Sequence, residues 1–132
     1  MKINDRYLFK AIDTNSVWRT GLLIALKGNR CAIEESDGSK WACDAKTLCQ
    51  CTGLKDKNGK LIWENDIVNL ETDKAVVIWD RAEWRIKWIK DTIWRKDLHF
   101  WTNEDDWKCE VIGNIFDNPE LLESEEQYGE NI

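Results

Sequence analysis

Thr52-Gly53-Leu54-Lys55-Asp56-Lys57-Asn58-Gly59-Lys60-Leu61-Ile62-Trp63-Glu64-Asn65-Asp66-Ile67-Val68 contains two turns and the strands that flank them. Asn58-Gly59 is a hairpin signal, because both residue types tolerate positive φ. Asp56 and Asn58 are turn formers whose short side chains hydrogen-bond nearby backbone, and Gly53 and Gly59 suit positive φ or close backbone approach. Ile62, Ile67 and Val68 then read as core positions of two short strands, with Asn65 tolerating positive φ in the turn before Asp66. A glycine-rich phosphate loop needs several glycines ahead of a helix, whereas these precede strands. The stretch is therefore read as structural.

Working outward, the same alternation of extended segments and turn chemistry continues in both directions. Ala75-Val76-Val77-Ile78-Trp79 is apolar on both faces and predicts a central strand, and Trp84-Arg85-Ile86-Lys87-Trp88 alternates and predicts a half-buried one. The two are expected to pair across Asp80-Arg81-Ala82-Glu83. Thr92 to Arg95, Leu98 to Trp101 and Cys109 to Ile112 are expected to add edge strands. Asn118-Pro119-Glu120 starts a short C-terminal helix with a cap, Pro at the first position and an acid in the first turn. Upstream, Arg6 to Ile12 and Val17 to Leu26 flank Asp13-Thr14-Asn15-Ser16. Cys31 to Glu35 and Lys40 to Cys43 flank Asp37-Gly38, and Asp44 caps one helical turn up to Leu48. The expectation is a mainly β fold, a small barrel or sandwich with additional hairpins.

The chain has 132 residues, 42% hydrophobic and 33% charged, which fits one globular domain over residues 1–132. Its net charge of −6 is uneven: all 19 Lys and Arg lie at or before Lys108, and seven acids follow it. Residues 1–108 carry a net +1 and residues 109–132 a net −7, so an acidic tail, frayed from about residue 127, ends the sequence. No apolar region follows the basic start, and the apolar runs are too short to cross a bilayer. A cytoplasmic protein of a bacterial host, with no membrane partner, is expected. Five cysteines without a C-x-x-C pair fit reduced thiols. Cys49 and Cys51 would share one strand face that His99 could join, yet free Cys usually packs as a small hydrophobe. No metal and no cofactor are expected.

The stretch from Thr52 to Val68 resembles the YopX family of small phage and prophage proteins. Val111-Ile112-Gly113-Asn114-Ile115-Phe116-Asp117-Asn118-Pro119-Glu120-Leu121-Leu122 is similar to the family's C-terminal signature, and Arg6-Tyr7-Leu8-Phe9-Lys10 with Val17-Trp18 and Gly21 to its first strand pair. Asn65, Trp63 and Ala45 depart from the residues common there, and residues 82–108 align with nothing in the family. The resemblance implies a mostly β fold with an SH3-like barrel element and a phage origin. It supplies no biochemical activity and no catalytic residues. Its motif residues, Thr52, Gly53, Leu54, Asp56, Asn58, Gly59, Asp66, Ile67, Val68, Gly113, Asn114 and Pro119, are expected to shape the fold.

Candidates for chemistry are sparse. His99 has no identified nucleophile partner, and Glu104-Asp105-Asp106 reads as a solvated turn, since consecutive side chains on a strand diverge. Nine tryptophans are more than a core of this size easily encloses, and Trp is enriched at protein interfaces. Protein–protein contact, with a homo-oligomer and an unknown host or phage protein as partners, is therefore the leading reading, and no enzyme is expected. Residues 81–96 mix six basic residues with tryptophans and offer the alternative of single-stranded nucleic-acid binding through Trp84, Arg85, Lys87, Trp88, Trp94, Arg95 and Trp101. Strand parity ranks that reading lower: Trp84, Ile86 and Trp88 share one face, Arg85 and Lys87 the other. A third reading has the acidic tail inhibiting a host enzyme or defence complex through a basic groove.

Overall fold

A computed structural model of the chain describes residues 4–71, 73–90, 92, 95–103 and 108–123. It is mainly β, with two compact units, Met1–Gly53 and Leu54–Ile132. In the first unit, β1 (Phe9–Ile12), β2 (Trp18–Lys27), β3 (Arg30–Glu34), β4 (Lys40–Asp44) and β5 (Cys49–Lys55) follow one another, β5 running past the boundary at Gly53. Their order in the sheet is β4-β3-β2-β1-β5, all described pairings being antiparallel. One face buries Ala11, Cys31, Ile33 and Cys43, with Phe9, Leu23, Trp41 and Leu48 packed against them.

Each turn here has a local cause. Asp13 accepts the backbone N–H groups of Asn15 (2.8 Å) and Val17 (3.0 Å), which lets Ser16 hold φ 64°. Asp44 accepts the N–H of Lys46 at 2.9 Å and starts a single 3₁₀ turn, Ala45–Thr47. Gly21 sits where β2 passes β3 so closely that a Cβ would lie 2.0 Å from the Glu34 carbonyl oxygen. The fold is mainly β as expected, and no closed barrel occurs among the described residues. The two sheets are antiparallel and open, and a single bridge, Asp13↔Cys43, joins the end of β1 to β4.

The second unit contains β6 (Leu61–Trp63), β7 (Asp66–Leu70), β8 (Asp73–Asp80), β9 (Glu83–Trp88) and β10 (Cys109–Asn114), with sheet order β10-β7-β8-β9. Ile62, Val68, Leu70, Ala75, Val77 and Ile86 are sealed from solvent, joined by Leu98 and Cys109 and by the rings of Trp88 and Trp101. Each fully buried aliphatic side chain contributes about 1.5–3 kcal/mol. The expected β8–β9 hairpin forms, with Asp80 paired to Glu83. Leu98–Trp101, expected as a strand, is instead a helical turn, α1. Its local i→i−3 bonds, from Phe100 N–H to Asp97 and from Thr102 N–H to His99, replace a strand ladder. The expected C-terminal helix is a short 3₁₀ segment, Pro119–Leu122, with Pro in its first turn and no side-chain cap from Asn118. Asn118 fails to cap because its Oδ1 accepts the Asn114 N–H at 3.2 Å instead. The described residues contain no helix long and apolar enough to cross a membrane.

Candidate functional site

The motif residues gather around turns. Asp56 is 1% exposed, and its Oδ1 accepts the N–H groups of Asn58 and Lys60 at 2.9 Å each, while Oδ2 accepts that of Val111 at 2.9 Å. One carboxylate thus shapes the 56–60 loop and fastens it to β10. Asn58 and Gly59 follow it, Gly59 at φ 79°. Asp66 accepts the Trp63 N–H at 2.8 Å across a turn in which Asn65 holds φ 70°, so Asn serves where Gly is common. Gly53 holds φ 80°, and a Cβ there would lie 3.3 Å from the Arg6 Cβ. Gly113 lies at the β10 bulge, and a Cβ would meet Asn118 Oδ1 at 2.4 Å. Asn114 closes the same turn through Oδ1, which accepts from Phe116 and Asp117 at 2.9 Å each. Thr52, Ile67 and Val68 are buried, Leu54 is half-buried and Pro119 is exposed. Every one of these contacts shapes backbone or fills core.

The tryptophan and basic residues separate as strand parity requires. Trp88 and Trp101 lie in the core with ring centroids 5.6 Å apart, and Trp101 Nε1 donates to the Arg95 carbonyl at 3.0 Å. Trp84 is half-buried and meets the exposed Trp79 edge to face at 5.0 Å. Arg85 is opposite Ile78 and Lys87 opposite Val76, on the other face of the hairpin. Arg85 pairs with Glu83, and Arg95 makes a two-pronged pair with Asp97 at 3.0 Å and covers the Phe100 ring. Arg81, Lys87 and Lys96 have no such partner among the described residues and border a depression of about 400 Å³ that Asp80 and Arg85 also line. Trp88 also lines that depression but is only 8% exposed, so among the described residues its ring is held in the core rather than presented beside the cations. Trp94, Trp107 and the Glu104-Asp105-Asp106 run lie outside the described residues.

The remaining candidates are inert by placement. All five thiols are buried. Burial pushes the Cys31 thiol up, that of Cys43 to about 11, and that of Cys109 to about 12 with the nearby Asp56 and Asp66 carboxylates adding to it. A thiolate nucleophile needs the opposite shift. Cys49 and Cys51 are sealed within the first unit, whereas His99 is exposed on α1 of the second, and no cluster of three metal-binding side chains occurs among the described residues. Asp13 lies well below the ordinary carboxylate range because Arg19 hydrogen-bonds it at 2.8 Å and the Val17 N–H points at it. Arg19 in turn stacks on Trp41 at 3.4 Å, which makes this a packing network.

Sequence reasoning singled out no part of the outward face of β2, β3 and β4, where the structure leaves apolar side chains exposed. Residues opposite one another in an antiparallel pair share a face. Ala25, Ala32 and Ala42 are in register across the three strands, and Ile24 is the extra residue at the β2 bulge just before Ala25. Leu22 is 38% and Ile24 45% exposed, while Leu26, 58% exposed, is paired with Cys31 and so belongs to the opposite face. The signal in the sequence was the unbroken apolar run Leu22 to Leu26, which period-2 patterning cannot bury on one face.

The family model described as YopX protein matches residues 8–123. A solved structure described as the crystal structure of protein EF1440 from Enterococcus faecalis is similar in fold, with TM-score 0.53 and 24% identity over 87% of this chain and 96% of that one. No curated protein matches the chain.

Proposed function

The chain belongs to the YopX family, and from that premise we propose that it is a phage-derived protein that acts without catalysis, through protein–protein contacts that include self-association, in the cytoplasm of its bacterial host. The observation that carries the reading is the exposed apolar surface of β2, where Leu22 stands open in the row of Glu34 and the bulge residue Ile24 stands open next to Ala25. Exposed Leu or Ile is ordinary when single, whereas a cluster over a flat alanine floor favours covering by another protein. Trp79, 55% exposed and braced by Trp84, offers a second anchor of the residue type most common at interface hot spots.

The test is sedimentation velocity over a range of concentrations, at low and high salt, with and without a single-stranded oligonucleotide. An oligomer that survives high salt and ignores the oligonucleotide is the expected result. A monomer that shifts with oligonucleotide only at low salt would instead favour nucleic-acid binding around Arg81, Lys87 and Lys96, since phosphate contacts weaken steeply with salt. Those three cations, gathered around one depression and without an ion pair among the described residues, are the observation that keeps this second reading.

A further inference from the structure

We infer that the outward face of β2–β4 takes a second copy of the same chain, laid face to face about a two-fold axis that runs across the strands through the alanine row. The inference rests on the self-association reading above and specifies its geometry. Three rows cross this face. The middle one is Ala25, Ala32 and Ala42 with Ile24; one end row is Leu22, Glu34 and Lys40; the other is Lys27, Arg30 and Asp44.

A two-fold axis along the middle row keeps each strand over its own counterpart and exchanges the end rows. Glu34 of β3 then lies over Arg30 of the second copy, and Lys40 of β4 over Asp44 of the second copy. Every such contact occurs twice, because a two-fold interface is self-complementary. Opposite charges meet in both columns, and Leu22 covers the aliphatic stem of Lys27, which an apolar surface accommodates. In the middle, the small side chains of the alanine row leave room for close approach beside the exposed bulge residue Ile24. None of Arg30, Glu34, Lys40 and Asp44 makes an ion pair within the chain among the described residues; Asp44 keeps Oδ1 on the Lys46 N–H as a cap and still carries its charge. The face is small, three strands about 5 Å apart, which places the dimer at the weak end, near micromolar dissociation. Charges at such a rim fix orientation more than they add affinity.

The experiment is sedimentation velocity from about 1 to about 200 μM on the full chain and on Arg30→Glu, Glu34→Arg and the charge swap carrying both. Thermal melts establish that each variant folds. Each single reversal is expected to weaken association about tenfold, and the swap to recover most of it. Ala32→Cys provides an independent readout. It places two thiols across the axis, and a disulfide reagent such as oxidised glutathione should join them as a covalent dimer, with two glutathione thiols released per bond formed. Ser36→Cys, in the β3–β4 turn off this face, should not form that dimer. Association that ignores both reversals, or a swap that fails to recover it, would overturn this arrangement and leave self-association standing. A chain that stays monomeric at every concentration would overturn both.

Discussion

The strongest single residue is Asp56, because one buried carboxylate accepts three backbone N–H groups from a loop and from a strand 55 residues away. Removing it leaves the Val111 N–H without a partner where water reaches poorly, and frees the loop that Asn58 and Gly59 shape. An orphaned N–H costs about 1–3 kcal/mol. Asp56→Ala should therefore lower stability by about 3 kcal/mol in urea unfolding, with the loop groups partly recovered by solvent. Asp56→Asn keeps one acceptor oxygen for the two loop N–H groups but turns an amide donor toward Val111, and about half that loss is expected. Equal losses for the two variants would mean that the Val111 bond matters and the loop bonds do not. The sequence named Asp56 as a turn former and was right about the loop. Its long-range bond to β10 was invisible, because no local pattern specifies which distant N–H a buried carboxylate will find.

At the scale of elements, legibility followed periodicity. The β8–β9 hairpin was readable because Ala75 to Trp79 and Trp84 to Trp88 carry strong strand patterns, and the register Val77↔Ile86 and Trp79↔Trp84 puts the apolar set on one face. Its turn could not be read, since Arg81 and Ala82 hold φ 53° and 60°, values that favour Asn and Gly. Leu98–Trp101 was misread as a strand for a related reason: four apolar and aromatic residues have no period, and burial of Leu98 and Trp101 at i and i+3 selected a helical turn. The strained turn yields a prediction. A left-handed non-glycine residue costs about 1–2 kcal/mol, and glycine recovers part of this at an entropic cost in the unfolded chain. Replacing Arg81-Ala82 by Asn-Gly should raise stability by about 1 kcal/mol, read as a higher urea midpoint with an unchanged slope. A lower midpoint would show that the Arg81 side chain holds the hairpin in a way the backbone argument misses.

For the whole molecule, composition and turn spacing established a mainly β chain, and what they could not establish is how its apolar residues divide between two cores. That division depends on pairings such as Phe9↔Gln50 and Val111↔Val68, which join residues far apart in sequence and leave no periodic trace. The outward face of β2–β4 was missed for the same reason, because three alanines 7 and 10 residues apart form a row only once the register is known. The buried thiols divide between the cores too, Cys31 and Cys43 in the first and Cys109 in the second, and this gives a prediction about pH. Their folded values are raised from an ordinary 9.0, to about 11 for Cys43 and about 12 for Cys109. A raised value means the unfolded chain loses its protons first. The stabilisation is complete below pH 9 and is lost as pH rises through the folded values. The urea midpoint should therefore hold up to about pH 9 and fall steadily above it. Cys109→Ala removes the thiol with the largest shift, so its midpoint should start lower, from the small cavity, yet decline less steeply between pH 9 and 11. Parallel declines for the two proteins would assign the alkaline limb to other groups and remove the thiols from the account.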